Sequence, residues 1–412
     1  MTTPILRDDA QKRVDEIGSA DILVGIPSYN NASTIAHVVR MAARGMVEHL
    51  ADLKPALVVS DGGSPDGTRE VVLATEVPSG VTKIVTQYRG IPGKGSAFRT
   101  IFEIARQLGA RAVCVVDSDL RSIRPWWIDR LAGPIVREGY GYVAPYYNRH
   151  KYDGTITNNI CYPTTRMLYG IDVRQPIGGD FGFSGELLSA YLGQDVWETD
   201  VARFGIDIWM TTTAINEGFR VAQANLGAKI HDAKDPAASL GPMFRQVVGT
   251  LFSLMDRYAD RWKAARGSVK APILGPAIEQ EPEPVAVTLP ALIEKLRAGL
   301  VEHGAVWAEI LRPENMSAIR DMAAMPESEY EFPPQRWAQV LFDFAVAFCG
   351  KRETGLEPQA IIDSMTPLYF GRTAGMVRHS ADMDTATFER QVVQRQAEIF
   401  EDLKADLIRL WG

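Results

Sequence analysis

The chain has 412 residues, of which 46% are hydrophobic and 23% charged, with a net charge of −7. That composition belongs to a soluble globular enzyme, and the length fits one large domain plus a smaller one. The acid excess excludes a nucleic-acid binder held by phosphate neutralisation, and no run approaches the roughly 18 apolar residues of a membrane span.

Three cysteines, far apart and odd in number, suit reduced thiols, and residues 1–20 are charged without the apolar core of a signal peptide. A cytoplasmic protein is therefore expected, with no nucleic-acid and no membrane partner. Asp21 to Ile26 reads as a short apolar strand that stops in Pro27-Ser28-Tyr29-Asn30, and Ser33 to Leu50 has helical spacing. A second strand, Ala56 to Ser60, ends in the Gly- and Asp-rich loop Asp61 to Thr68, where backbone and a carboxylate can approach a ligand. The third, Thr82 to Gln87, leads into Pro92-Gly93-Lys94-Gly95 at a helix start. Glycines beside a lysine there expose donors and a cation to an anion, although the spacing is not that of a P-loop.

Ala112 to Val116 is a short apolar, β-branched run that ends in Asp117-Ser118-Asp119. Such a run reads as a parallel strand buried on both faces, and ligands bind outside the carboxyl ends of such strands. Two residues apart on a strand, Asp117 and Asp119 are expected on one face, where paired carboxylates can hold Mg²⁺ or Mn²⁺. Further on come a Tyr- and Gly-rich stretch at residues 139–150, the turn Gly154-Thr155-Ile156-Thr157 before a helix, and Gly178-Gly179-Asp180. After these, Phe204 to Ile208 opens a helix with Asp207, and Val221 to Leu226 is a strand that leads to Lys229-Ile230-His231-Asp232. Alternating strands and helices predict an α/β fold with a mostly parallel sheet.

The ordered set Pro27 to Asn30, Asp61 to Ser64, Pro92 to Gly95, Asp117 to Asp119, Gly178 to Asp180 and Asn225 through His231 resembles the GT-A nucleotide-sugar glycosyltransferases. More narrowly it resembles the glucosylglycerate synthase and glucosyl-3-phosphoglycerate synthase group, over roughly residues 20 to 255. The resemblance implies a Rossmann-like GT-A sheet and transfer of a hexose, with retention, from a nucleoside diphosphate sugar to the 2-hydroxyl of a glycerate-type acceptor. It implies Mg²⁺ or Mn²⁺ held by Asp119 and His231, with Asp117 directed at the metal or the ribose. Pro27, Tyr29, Asn30, Asp61, Gly93, Lys94, Asp117 and Ser118 would bind the nucleotide sugar. Lys94 would meet the diphosphate, and Asp180 and Asp207 would bind donor hydroxyls or orient the acceptor.

For the acceptor, Arg149, Thr155, Thr157, Arg166 and Gly179 are the candidates. Phosphoglycerate-using members carry an arginine where this chain has Thr155, so D-glycerate is the expected acceptor, with 3-phosphoglycerate the alternative and mannose an alternative sugar. Polyprenyl-phosphate sugar transfer and nucleotidyl transfer are the remaining readings. The expected domains are 1–265 for catalysis, a Pro-rich linker at 266–289 and an α-helical extension at 290–412 that packs on the catalytic domain or mediates a homodimer. Trp307, Trp337 and Trp411 are expected in the core, and Tyr369 to Gly375 reads as a loop or a turn between helices, with Arg372, Arg378 and His379 beside it.

Overall fold

In the computed structural model, which describes residues 4–231 and 240–412, the apolar runs become strands that alternate with helices. β1 (Ile22–Ser28), β2 (Pro55–Asp61), β3 (Thr82–Gln87), β4 (Ala112–Val115) and β5 (Tyr142–Asn148) are interleaved with α1 (Asp8–Ile17), α2 (Ile35–His49), α3 (Thr68–Ala74), α4 (Lys94–Gln107) and α5 (Trp126–Glu138). After α6 (Tyr162–Tyr169) and β6 (Ile171–Asp172) come β7 (Phe181–Ser184), α7 (Gly185–Leu192), α8 (Ile206–Asn216) and β8 (Val221–Ala228). The short strands β9 (Val269–Lys270) and β10 (Ile273–Leu274) follow α9 (Gly241–Arg257) and α10 (Ala259–Ala264).

Eight strands form one sheet in the order β10-β8-β5-β7-β4-β1-β2-β3. All its pairings are parallel except those of β7, which runs against β4 and β5 with Val115 opposite Phe181 and Tyr142 opposite Phe183. The mostly parallel, helix-flanked sheet is as expected. Alternation of side chains along β1 serves both layers. Val24 and Ile26 enter a core with Val38 and Ala42 of α2 and Ile128 and Leu131 of α5, while Gly25 faces Ile101 of α4 at close approach. Behind α4, Phe102 lies 5.2 Å from Phe183 and 5.8 Å from Tyr191 between ring centroids.

The contacts divide the chain into two units, one of Met1–Asn148, Val173–Asp232 and Ala271–Pro282, the other of Arg149–Asp172, Ala233–Lys270 and Glu283–Gly412. This is not the division in chain order that the proline-rich stretch suggested. Within residues 266–289 lie β10, which adds a parallel edge to β8, and β9, which pairs with β6. Two-residue strands carry no periodic signal, so a stretch that supplies a sheet edge reads as an arm.

The second unit continues with α11 (Leu289–Ile310), α12 (Pro313–Ala324), α13 (Pro334–Phe348), α14 (Pro358–His379), α15 (Thr385–Phe388), α16 (Arg395–Asp402) and α17 (Lys404–Trp411). Trp307, Trp337 and Trp411 are buried, as expected, and the first two donate through Nε1 to the carbonyls of Ser364 at 3.0 Å and Asn159 at 2.7 Å. Tyr369 to Gly375 is neither loop nor turn: it is the buried middle of the 22-residue α14. Its glycines mark close packing, since a Cβ on Gly375 would stand 2.7 Å from the backbone nitrogen of Phe332. Arg372 is buried there as well, donating to the Phe332 carbonyl and the Gln396 amide oxygen. Alanine at Gly375 gains about 1 kcal/mol of helix propensity but overpacks a tight contact at a cost of about 1–3 kcal/mol. Gly375→Ala should therefore lower the thermal midpoint, and a midpoint at or above that of the wild type, read by circular dichroism, would refute this packing.

Candidate functional site

Parallel strands bring their carboxyl ends to one edge, and the reversed β7 brings its amino end to that same edge. Asp117 follows β4, Asp180 precedes β7, Tyr147 closes β5 and Lys229 follows β8. Lys94 opens α4, Asp207 lies in the first turn of α8, and Asp119 and His231 follow on the loops beyond. All of these residues belong to the first unit.

Two ammonium groups tie three carboxylates together. Lys229 Nζ lies 2.8 Å from Asp117 Oδ2, 3.0 Å from Asp180 Oδ2 and 2.8 Å from the Gly178 carbonyl. Lys94 Nζ lies 2.8 Å from Asp117 Oδ1 and 3.1 Å from Asp207. Asp180 is fully buried and has both oxygens engaged: Oδ1 takes the Asp117 backbone N–H at 2.8 Å, and Oδ2 takes the Tyr147 hydroxyl at 2.5 Å besides Lys229. Gly179 has φ +91°, and a Cβ there would sit 2.1 Å from Asp117 Oδ2. The carboxylate occupies the space that any side chain would need.

Burial would push the Asp117 carboxyl up, but Lys229 and Lys94 outweigh it and hold the group well below the usual carboxylate range. Against its own burial, Lys94 is kept protonated by Asp117 and Asp207. Asp207 is left on the other side of the balance. Burial raises its pKa more than Lys94 lowers it, with Asp117 adding to the rise, and its Oδ1 has no hydrogen-bond partner among the described residues.

Asp117 and Asp119 do not share a strand face. β4 ends at Val115, and the Asp117 N–H goes to Asp180 in place of a strand neighbour, so both acids lie in the turn beyond the strand. With both oxygens on lysines, Asp117 is not placed as a metal ligand in this arrangement. Asp119 is: its pKa is raised by burial and then by Asp117, and its Oδ2 lies 3.9 Å from His231 Nδ1. A half-buried carboxylate beside an imidazole, short of positive charge, suits a hard divalent cation. Among the described residues no cluster of three or more such ligands occurs, and Asp232 lies outside the described residues.

The residues expected to face the nucleotide divide into presenters and braces. Tyr29 is 60% exposed at the tip of β1, a free aromatic face. Pro27 stands beyond the last pair of β1 with β4, Gly25 with Val115, so its missing N–H breaks no bond on that side. Asn30, at φ 57°, donates its N–H to Ser64 Oγ at 2.9 Å. Asp61 is a brace. Fully buried, it accepts from Ser28 Oγ at 2.8 Å, from the N–H groups of Gly63 and Ser64 at 2.8 Å each, and from Ser64 Oγ at 2.7 Å. Four bonds fill a carboxylate, so Asp61 shapes the loop and has no oxygen left for a ribose. Ser118 Oγ likewise donates to Asn31 Oδ1 at 2.8 Å. Gly93 gives its N–H to the Tyr88 hydroxyl at 3.0 Å, and Gly95 gives its own to the Arg203 carbonyl at 3.1 Å.

Of the expected acceptor residues only Gly179 belongs to the unit that holds the charge cluster, whereas Arg149, Thr155, Thr157 and Arg166 belong to the other. Within that second unit Thr155 is buried and shares a 2.5 Å hydrogen bond with the Tyr369 hydroxyl. Thr157 is buried at the start of a π-helical turn, Thr157–Cys161. Arg149 pairs with Asp153 at 2.8 Å, and Arg166 forks onto Glu401 at 2.9 and 3.1 Å. The turn read at Gly154-Thr155 is interior packing at Thr155. Thr155→Arg should therefore destabilise the second unit; a stable variant with the wild-type melting curve would count against this placement.

Lys229 is the functional residue that the sequence reading passed over. Its signal was position alone, one residue past a strand whose end faces the acids. Removing one partner of a buried ion cluster costs about 3–5 kcal/mol because a charge is stranded. Lys229→Met is expected to lose stability of that order in urea unfolding and to lose activity, while Lys229→Arg retains part of both. An unchanged urea midpoint in Lys229→Met would mean that the cluster is not held by this lysine.

Residues 23–184 match the family model described as Glycosyl transferase family 2. The chain is 29% identical over 256 residues to a glucosyl-3-phosphoglycerate synthase of Mycolicibacterium paratuberculosis, which covers 56% of this chain and 71% of that protein. Among solved structures it is similar to the glucosyl-3-phosphoglycerate synthase of Mycobacterium tuberculosis in complex with Mn²⁺, uridine diphosphate and phosphoglyceric acid. That match has 26% identity and a TM-score of 0.47, over 62% of this chain and 84% of the other. The same enzyme with Mg²⁺ and uridine diphosphate matches with a TM-score of 0.46 at 26% identity, over 62% and 85%.

Proposed function

We propose that this chain, which carries a family 2 glycosyltransferase domain, moves a glucosyl group from a nucleoside diphosphate glucose to the 2-hydroxyl of a glycerate-type acceptor, with retention. The observation that carries the reading is the Asp119 and His231 pair, together with a lysine, Lys94, ion-paired to Asp117, at the strand ends of a domain of this family. Uridine diphosphate is the nucleotide named for the solved relative and is taken as the donor's.

Asp119 and His231 would hold Mg²⁺ or Mn²⁺, which when bound supplies positive charge to the diphosphate. The rest is the work of this chain's side chains. Tyr29 offers its ring to the base, and Asn30 and Gly93 line the path to the phosphates. Lys94 is the more exposed of the two cluster lysines, and its protonated state is secured by Asp117 and Asp207. As the bond from the anomeric carbon to the diphosphate oxygen breaks, negative charge grows on the leaving group, and a fixed ammonium in a water-poor site stabilises it most there. The acceptor oxygen bonds to the anomeric carbon, and its proton passes to the departing phosphate. Asp207, ion-paired to Lys94 at 3.1 Å with its pKa raised by burial, would bind a donor hydroxyl. Asp180 is saturated and acts as a positioning residue for Asp117 and Lys229.

3-Phosphoglycerate is the acceptor favoured by kinship, since the curated relative is named for it. D-Glycerate is the second reading, favoured by the second unit, where Thr155 replaces the arginine and Arg149 and Arg166 are each committed to a carboxylate. A competition assay with both acceptors, UDP-glucose and Mg²⁺ separates them by kcat/KM. Transfer to neither acceptor, with any nucleoside diphosphate glucose, would remove the proposal. Asp119→Ala and His231→Ala are each expected to abolish transfer without unfolding the chain. Lys94→Ala is expected to lower kcat far more than it changes donor KM, because its charge is needed as the diphosphate leaves; full activity of any of the three at saturating metal would undo its assignment.

A further inference from the structure

The helix that begins with Lys94 has a second polar face. Counted at 3.6 residues per turn, Arg99 points roughly 140° away from Lys94, and Glu103 and Arg106 lie near it. Together with Ser189, Leu192, Gln194, Asp195 and Trp197 they line a cleft of about 500 Å³ within the first unit. None of these residues takes part in the charge cluster or the nucleotide loops.

The charges in the cleft are unequally committed. Glu103 is fully engaged, with Arg106 forked onto it at 3.1 and 2.5 Å and Gln107 at 2.7 Å. Burial would raise its pKa, but these bonds and the nearby Arg99 hold it down, so it stays an anion whose oxygens are taken. Arg99 is different. Its guanidinium sits over the Trp197 ring at 5.4 Å, and its Nε is buried with no hydrogen-bond partner among the described residues. An aromatic face fixes the plane of the guanidinium, and a fixed planar fork suits an anion with two adjacent oxygens. On the rim the exposed Asp195 and the closing turn of α7 offer acceptors, which repel a bare anion and favour one that also carries hydroxyl groups.

We infer that this cleft binds one small hydroxylated anion, with Arg99 taking the phosphate or carboxylate and Asp195 and the α7 turn taking the hydroxyls. The site is separate from the one proposed for catalysis. Calorimetric titration of the full chain with glucose 6-phosphate and with gluconate tells a phosphate headgroup from a carboxylate, with inorganic phosphate and glucose as half-ligand controls. At least one hydroxylated anion should bind more tightly than either control. Arg99→Gln should weaken that binding about tenfold or more, Arg99→Lys less, and Asp195→Asn should weaken glucose 6-phosphate or gluconate but not inorganic phosphate. Lys94→Ala should leave the binding unchanged, and Arg99→Gln should keep basal transfer and the circular dichroism spectrum of the wild type. No binding of either hydroxylated anion at millimolar concentration, equal binding by Arg99→Gln, or loss of binding in Lys94→Ala alone would each overturn the inference.

Discussion

Burying charge is what this site has to solve, and it does so by sharing two ammonium groups among three carboxylates. Removing an ion from water costs several kcal/mol, and only close, complete pairing offsets it. Asp117, gripped on both oxygens, is the one carboxylate that joins the two lysines. Asp180 holds its backbone, Lys229 and Lys94 hold its carboxylate, and Gly179 leaves it room. Three carboxylates against two ammoniums leave one negative charge uncompensated, and Asp207, buried with its pKa raised, is where the shortfall falls.

The reversed strand is the structural answer to that requirement. A strictly parallel sheet would send the start of β7 to the opposite edge and with it Asp180. Because β7 runs against β4, the residue before Phe181 arrives beside the residue after Val116, and a backbone N–H to carboxylate bond joins them. The reversal also brings Phe183 under Phe102 of α4, so the helix that presents Lys94 rests on the strand that presents Asp180. Packing and electrostatics fix the same pair of elements.

Much of this could be read from the residues. Apolar β-branched runs located β1, β2 and β4, the last two with acids at their ends, and the order of the motifs located the edge that matters. What escaped was set by contacts between distant residues. Asp61 and Asp180 look like ligand-binding acids in sequence, since an acid among glycines has the same appearance whether its oxygens are free or filled. Thr155 and the glycines of α14 read as turn chemistry, yet each is small because a neighbour comes close, Tyr369 in one case and Phe332 in the other. Lys229 gave no signal because a lone lysine after a strand is ordinary until two carboxylates are found around it.

On the proposed function, the closed cluster decides how a donor would enter. Lys94 already spends its charge on Asp117 and Asp207, so a diphosphate can engage it only by replacing one of them. Asp117 is held by a second lysine and loses little if Lys94 turns away, whereas Asp207 is ion-paired to Lys94 and is already pushed toward the neutral form by burial. The exchange therefore falls on Asp207. Released from Lys94, its carboxyl gains a strong preference for a hydrogen-bond donor, and a sugar hydroxyl arriving with the diphosphate is such a donor. The arrival of the phosphates and the binding of the sugar are then coupled through one lysine, and a nucleoside diphosphate without its sugar would leave Asp207 buried and unmet.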